Sequence, residues 1–190
     1  PLYLAVENGN VEAIKALLKK KDADVNQADN NGLTPLYLAA QNGNVEAIEA
    51  LLKKDADVNK ADNNGLTPLL IAVKNGHVGA IKALLGKDAD VNKADKNGST
   101  PLLIAVKNGN VEAIKALLGK DADVNKADNN GWTPLLIAVQ NGHVEAIEAL
   151  LEQVDVNKAN EHGWTPLHFA AQNGNAVAIK ALLEKGADVN

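Results

Sequence analysis

A Pro-Leu pair recurs along the chain at a nearly constant interval. The prolines are Pro1, Pro35, Pro68, Pro101, Pro134 and Pro166, at spacings of 34, 33, 33, 33 and 32 residues. The units that begin at Pro68 and Pro101 are identical at 29 of 33 positions. Self-similarity at such a period is typical of proteins built from stacked structural repeats. Because no linker separates the units, the sequence predicts a single domain over residues 1–190, divided into repeats 1–34, 35–67, 68–100, 101–133, 134–165 and 166–190.

Each unit carries the signals of two short helices, as the unit from Pro68 illustrates. Thr67 can cap the first helix with its hydroxyl, and Pro68 suits the first helical position, where its missing N–H costs nothing. Apolar residues at helical spacing follow, and Asn75-Gly76 supplies the stop. The run from Val78 to Leu85 then has the periodicity of a second helix.

The stretch between successive helix pairs, such as 88–98, is rich in Asp, Asn and Gly, which favour turns. This composition predicts a protruding, hairpin-like loop. A helix pair of this size cannot bury its own apolar face, so the pairs must stack on one another. The predicted fold class is therefore all-α: a solenoid of stacked helix-turn-helix units with protruding hairpin-like loops.

Composition narrows the functions open to such a chain. Aromatic residues make up only 3%, so we expect a core of Leu, Val, Ile and Ala. The net charge is −5 and every basic residue is Lys, which argues against nucleic acid as a partner. No apolar stretch approaches the roughly 18 residues of a membrane span, so we expect a soluble chain with no membrane partner. The absence of cysteine excludes disulfides, and the lack of a visible signal peptide would place a natural chain inside the cell.

The last unit contains Thr165-Pro166-Leu167-His168-Phe169-Ala170-Ala171, followed by Gly174, Leu182-Leu183 and Gly186-Ala187-Asp188-Val189-Asn190. These residues and the repeat period closely resemble the ankyrin repeat, whose signature includes Thr-Pro-Leu-His-x-Ala. The resemblance covers essentially the whole chain. It implies an elongated, slightly curved ankyrin-repeat solenoid that binds other proteins with its concave face and loop tips. It implies neither catalysis nor a cofactor.

Three departures from the family pattern carry expectations of their own. The signature histidine is replaced by Tyr3, Tyr37, Leu70, Leu103 and Leu136, which by the resemblance removes a polar tie between repeats. The glycine after the second helix is replaced by Asp22, Asp55, Asp88 and Asp121, where we expect a left-handed backbone. The fifth unit is one residue short near Gln153, so its connection to the sixth should be irregular.

Several patterns suggest chemistry that the residues do not support. Asp55-x-Asp57-x-Asn59 resembles the start of a calcium loop, but Lys60 and Leu66 occupy the positions that need Gly and Glu. His77 and His143 lie two units apart, roughly 20 Å at about 10 Å per helix layer, so they cannot share a metal ion. We expect His77 and His143 to lie at helix starts, and His168 to be a packing residue.

The only serine, Ser99, has no base placed to activate it. We predict no catalytic, metal or cofactor-binding residue.

A binding edge is predicted at the loop tips. By the resemblance, the residues that precede each Thr-Pro align along one edge, and here they are Leu33, Leu66, Ser99, Trp132 and Trp164. Four of the five are large and apolar with no obvious core to enter, and aromatic anchors are favoured at interface hot spots. A polar rim would come from Asn129, Asn130, Glu161 and His162. The alternative is that each Trp or Leu packs over the neighbouring tip as part of the structure.

Two further interpretations concern partners. Leu-x5-Asp-Val-Asn, at Leu51 to Asn59, Leu84 to Asn92 and Leu117 to Asn125, resembles the ankyrin motif that an asparaginyl hydroxylase modifies, which would make the chain a substrate. We favour the alternative that each asparagine bonds the loop backbone. Near-identical units without Arg, Cys or Met also suggest an engineered, consensus-type scaffold with no natural partner, although the unequal spacings resemble natural drift.

The first unit looks like an internal one in its apolar residues Leu2, Leu4, Val11, Ile14 and Leu17, and so does the last, where Ala176 and Val177 replace the usual Val-Glu pair. Terminal repeats normally present a polar outer face, because nothing stacks on them. We therefore expect either a fragment of a longer array or end-to-end self-association. The sequence names no partner beyond another protein.

Overall fold

The computed structural model describes residues 1–20 and 23–190 of the chain. Within these ranges it contains twelve α-helices and no strand, which confirms the predicted all-α class. The helices are α1 (Leu2–Glu7), α2 (Val11–Leu17), α3 (Pro35–Gln41), α4 (Val45–Leu52), α5 (Pro68–Lys74), α6 (Val78–Leu85), α7 (Pro101–Lys107), α8 (Val111–Leu118), α9 (Pro134–Asn141), α10 (Val144–Leu150), α11 (Pro166–Gln172) and α12 (Ala176–Glu184).

The helices form two compact units, Pro1–Lys96 and Asn97–Asn190. In the first unit each odd-numbered helix packs on the even-numbered helix that follows it and on the next odd-numbered helix. The even-numbered helices of that unit likewise pack on one another, and α7 to α12 repeat this arrangement in the second unit. Each unit is thus a stack of helix pairs. The single domain over residues 1–190 stays a prediction.

The odd-numbered helices from α3 onward begin as the sequence predicts, with Pro at the first helical position. In α3, α5, α7 and α9 the buried threonine hydroxyl before the proline accepts a hydrogen bond from the backbone N–H three residues later. The helix α11 differs, because the Nδ1 atom of His168 lies 2.7 Å from the Thr165 hydroxyl and accepts from the Thr165 backbone N–H. The loss of a polar tie between repeats in the other units, where Tyr or Leu replaces this histidine, stays a prediction.

The even-numbered helices begin at an asparagine or a histidine. Asn10, Asn44, Asn110 and Asn175 cap α2, α4, α8 and α12 by accepting from a backbone N–H. His77 and His143 start α6 and α10 without capping them, which confirms their predicted position at helix starts. Their Nε2 atoms lie 3.1 and 3.3 Å from the backbone oxygens of Gln41 and Lys107. Since a carbonyl can only accept, the ring donates to the preceding repeat.

The core is aliphatic, as composition predicts. The largest fully buried side chains are Ile14, Leu36, Ile48, Leu51, Leu69, Leu70, Ile81, Leu84, Leu102, Ile114, Leu117 and Leu135. They come from both helices of the repeats, so each repeat contributes to a core shared with its neighbours. No single pair could bury this surface alone.

The connecting loops confirm two expectations. Asp55, Asp88 and Asp121 have φ angles of 58°, 57° and 59°, which is left-handed backbone; Asp22 lies outside the described residues. The connection after the fifth repeat is irregular, as its missing residue predicts. The helix α10 ends at Leu150, and the described backbone between it and α11 has no left-handed aspartate.

Candidate functional site: the loop tips and their groove

The side chain of an aspartate or asparagine holds the loop tips in shape. This residue lies four residues before the tip residue, which is the residue that precedes Thr-Pro. The Oδ1 atom of Asp62 accepts from the backbone N–H groups of Asn64 and Leu66, both at 2.8 Å. The backbone N–H of Asp62 donates to the Leu66 oxygen, and that of Gly65 donates to the Asp62 oxygen, at 2.9 and 3.0 Å. Together the bonds close a tight, hairpin-like tip. Side-chain oxygens of Asp29, Asp128 and Asn160 accept from the backbone N–H groups two and four residues later in the same way, and we call this pair of bonds the side-chain brace.

Sequence reasoning missed this brace. A signal was present, because Asp or Asn stands four residues before each candidate tip residue and both readily bond the backbone two residues on. The bond from the Leu33 N–H is the main cause that lowers the pKa of Asp29. The phenol of Tyr3 donates to Asp29 at 3.2 Å. Burial first, and the Asp29 charge second, raise the pKa of Tyr3.

Successive tips are joined by backbone hydrogen bonds. In the first unit Asn63 N–H donates to the Asn31 oxygen at 3.0 Å, and Lys96 N–H donates to the Asn64 oxygen at 3.4 Å. In the second unit Asn129 N–H donates to the Asn97 oxygen at 3.1 Å. At these three places a backbone bond from one tip restrains the tip before it.

The predicted tip residues of the first unit are only half-exposed. Leu33 and Leu66 each have partly buried side chains, and their backbone N–H groups are bound by Asp29 and Asp62. Neither is among the strongly exposed apolar residues of the described chain. In this unit the tips present mostly polar asparagines.

The two tryptophans of the second unit share one aromatic partner. The Trp132 ring lies 5.1 Å from the Phe169 ring, centroid to centroid, and the Trp164 ring lies 5.2 Å from it. Trp164 also approaches the His168 ring at 5.9 Å. Phe169 is buried and Trp132 half-buried, whereas Trp164 is 38% exposed. The indoles thus have a packing partner, which the sequence analysis had not identified.

The four predicted rim residues, Asn129, Asn130, Glu161 and His162, are exposed. The Glu161 side chain packs against Gly131, where its Cγ would lie 2.9 Å from an added Cβ. Their arrangement as a polar rim around the tryptophans stays a prediction.

A groove lies beside Trp132, between the tips and the odd-numbered helices of the second unit. Its cavity volume is about 330 Å³, near the lower end of the range that is usual for small-molecule pockets. The lining residues are Ser99, Leu103, Ile104, Lys107, Asp128, Asn130, Trp132, Ile137, Gln140 and Asn141. Apolar side chains thus lie between polar ones, and three predicted site residues (Ser99, Asn130 and Trp132) meet in this groove.

The Asp-Val-Asn segments tie neighbouring loops. The Oδ1 atom of Asn59 accepts from the Asp90 N–H at 2.8 Å, and its backbone oxygen accepts from the Lys93 ammonium at 3.1 Å. Asn125 accepts in the same way from the Asp155 N–H, at a longer 3.4 Å. The interpretation that these asparagines bond loop backbone is confirmed for Asn59 and Asn125. Hydroxylation stays a prediction.

Among the described residues, no group of three or more His, Asp or Glu side chains is arranged to hold a metal ion. No helix in the same ranges is long and apolar enough to span a membrane. Leu4, Val177 and Leu183 are exposed apolar residues, and end-to-end self-association through such residues stays a prediction.

A sequence model described as ankyrin repeats matches residues 1–62, 56–128 and 120–190. The structure is similar to that of an ankyrin repeat domain from Acinetobacter baumannii AYE, with 31% identity, a TM-score of 0.94 and coverage of 99% of this chain and 98% of that one. It is also similar to EF0377, an ankyrin repeat protein, with 25% identity, a TM-score of 0.91 and coverage of 98% and 97%. No curated protein matches the sequence significantly. The repeats, the paired helices and these matches show that the chain belongs to the ankyrin repeat family, a general protein–protein interaction module.

Proposed function

We propose that this chain is a non-catalytic scaffold that binds another protein through its loop tips and the face of its odd-numbered helices, and that the groove beside Trp132 is the centre of the binding site. The observation that carries the proposal is the combination of apolar and polar side chains in that groove. Leu103, Ile104 and Ile137 line it, and Ile104 and Ile137 are half-exposed. The equivalent residues of the first unit, Leu38 and Ile71, are buried.

The surroundings of the groove resemble the anatomy of a small interface. Interfaces combine an apolar centre with a polar rim, and aromatic residues at the centre often carry much of the binding energy. Trp132 supplies an indole that Phe169 holds in place, so little side-chain freedom is lost when a partner covers it. Lys107, Asn130 and Gln140 offer polar contacts at the margin.

Affinity capture with matched variants tests the proposal. Ile137→Lys places a charge in the groove, and a lysine stem can still cover the apolar surface beneath it. Leu118→Lys makes the same kind of change at a half-exposed residue of α8, which does not line the groove. A cellular protein retained by the parent chain and by Leu118→Lys, but lost with Ile137→Lys, supports the groove. Equal retention by all three places binding elsewhere.

If the chain is an engineered scaffold without a natural partner, we expect none of the three proteins to retain a cellular protein specifically.

The same comparison can be made with Trp132→Ala, by measuring both thermal stability and partner affinity. A groove that binds through the indole should lose about 2 kcal/mol or more of binding free energy. If Trp132→Ala lowers the thermal stability but leaves the partner affinity unchanged, Trp132 is not part of the binding site.

A further inference from the structure

The chain contains ten Asn-Gly pairs, six of them near helix ends and four at loop tips. In such a pair the glycine nitrogen can attack the Cγ atom of the asparagine side chain, because glycine has no Cβ to hinder the approach. The C–N bond to the side-chain nitrogen breaks, the glycine nitrogen gives up its proton and ammonia leaves, which forms a succinimide. Water then opens either carbonyl of the ring and leaves aspartate or isoaspartate. The net change is one water consumed and one ammonia released.

Most pairs near the helix ends have the asparagine amide tied down. The Nδ2 atom of Asn75 donates to the Gln41 oxygen at 2.9 Å, and that of Asn173 donates to the Gln140 oxygen at 3.0 Å. Asn42 and Asn141 make longer bonds of the same kind, to the backbone oxygens of Glu7 and Lys107. Because these amides are bound to the preceding repeat, their Cγ atoms are not free to turn toward the glycine nitrogen.

The tip pairs are restrained differently, through the backbone carbonyl of the asparagine. Asn31, Asn64 and Asn97 each accept a bond at this oxygen from the next tip, from Asn63, Lys96 and Asn129 respectively. The carbonyl belongs to the Asn-Gly peptide group, which must rotate for the ring to close. These bonds therefore oppose cyclisation.

Asn130 is the exception among the tips. In the part of the chain that the structure describes, its backbone oxygen accepts no bond from the following tip. The following tip belongs to the fifth repeat, which is one residue short, and it presents the Glu161 side chain to Gly131. Asn130 is also exposed.

We propose that Asn130-Gly131 is a site of spontaneous deamidation that reacts faster than the other tip pairs. Two bonds still hold it: Asn130 N–H donates to Asp128 Oδ1 at 2.9 Å, and Gly131 N–H donates to the Asp128 oxygen at 3.0 Å. Both lie within one tip. Local opening of that tip is therefore sufficient for reaction, and the helices can stay folded.

The modification changes the groove. Asn130 and Asp128 both line it, so aspartate at residue 130 adds a second carboxylate to its wall. Isoaspartate also lengthens the backbone by one carbon between Asp128 and Trp132, whose N–H is bound by Asp128 Oδ1 at 2.9 Å. An effect on partner binding rests on the proposed function, whereas the reaction itself does not.

The test is to incubate the full folded chain in mildly alkaline buffer and to follow each Asn-Gly peptide by mass spectrometry, with enzymatic methylation to detect isoaspartate. The same chain in denaturant gives the reference rate for each local sequence. We expect Asn130 to react several-fold faster than Asn31 and Asn64 once each rate is divided by its denatured reference. An Asn130 rate no greater than that of Asn64 would overturn the proposal.

A pair of variants tests the cause. Asn63→Pro removes the N–H that holds the Asn31 carbonyl, and proline is favoured at that turn position. Asn63→Ala keeps the N–H and removes only the side-chain bond to the Asn30 oxygen. We expect Asn31 to accelerate several-fold in Asn63→Pro and to stay unchanged in Asn63→Ala. Equal Asn31 rates in the two variants contradict the carbonyl restraint on which the proposal depends.

Discussion

The Trp132 indole packs on the Phe169 ring of α11, with centroids 5.1 Å apart and planes inclined by 40°. Such pairs contribute about 0.5–1.5 kcal/mol beyond the area that they bury. We therefore expect a coupling free energy of that size in a double-mutant cycle of Trp132→Leu and Phe169→Leu, measured by urea unfolding. Additive effects of the two changes would show that the rings do not interact.

The left-handed Asp88 offers a second prediction. Its φ of 57° is unfavourable for a residue with a Cβ, by roughly 1 kcal/mol, whereas glycine adopts it freely. Asp88→Gly should therefore raise the free energy of unfolding by up to about 1 kcal/mol. Asp90→Gly is the matched control in the same loop, because it removes the carboxylate that binds the Asn92 N–H and should destabilise. A lower denaturation midpoint for Asp88→Gly would contradict the prediction.

The sequence predicts the helices well because their signals are local. Thr67 and Pro68 mark a start, Gly76 marks a stop, and the 33-residue interval repeats both. The left-handed Asp88 could also be predicted, because it stands where a glycine would otherwise end the helix pair. Each of these signals lies within a few residues of the feature that it determines.

The contacts between repeats could not be predicted in the same way. The packing of Trp132 on Phe169 depends on how the repeats stack on one another, which a period alone does not define. The bond from Asn63 to the Asn31 oxygen depends on the same register, as does its absence at Asn130. The Asp62 brace is different, since its spacing was visible and only its geometry required the structure.

We expect the His143 ring to obstruct any side chain introduced at Gly109. An added Cβ at Gly109 would lie 2.9 Å from His143 Cε1, whereas one at Gly142 would have its nearest neighbour, Asn175 Nδ2, at 4.0 Å. Both glycines have left-handed φ angles, 65° and 71°, so an alanine at either carries a similar backbone cost.

Gly109→Ala should therefore destabilise by about 1–3 kcal/mol more than Gly142→Ala, since the ring must move. In a His143→Asn background the difference should disappear, because asparagine at the corresponding position leaves space beside Gly142. Denaturant unfolding of the four proteins measures it. A difference that persists without the imidazole would assign the cost to the backbone alone.

We expect Tyr37 to make the free energy of unfolding fall at alkaline pH. Its side chain is 4% exposed, and burial, with a smaller contribution from the Asp62 charge, raises its pKa from 10.0 to about 12. The folded state therefore favours the neutral phenol. This contribution is fully present below about pH 10 and is lost as the pH rises toward about 12, since the phenol of the unfolded chain ionises first.

A shift of two pKa units corresponds to about 2–3 kcal/mol in the free energy of unfolding. Tyr37→Phe keeps the ring and removes the ionisation of the phenol. The parent chain should lose stability relative to Tyr37→Phe between about pH 10 and pH 12 in urea unfolding. Parallel stability curves across that range would show that the phenol ionises as easily in the folded chain as in the unfolded one.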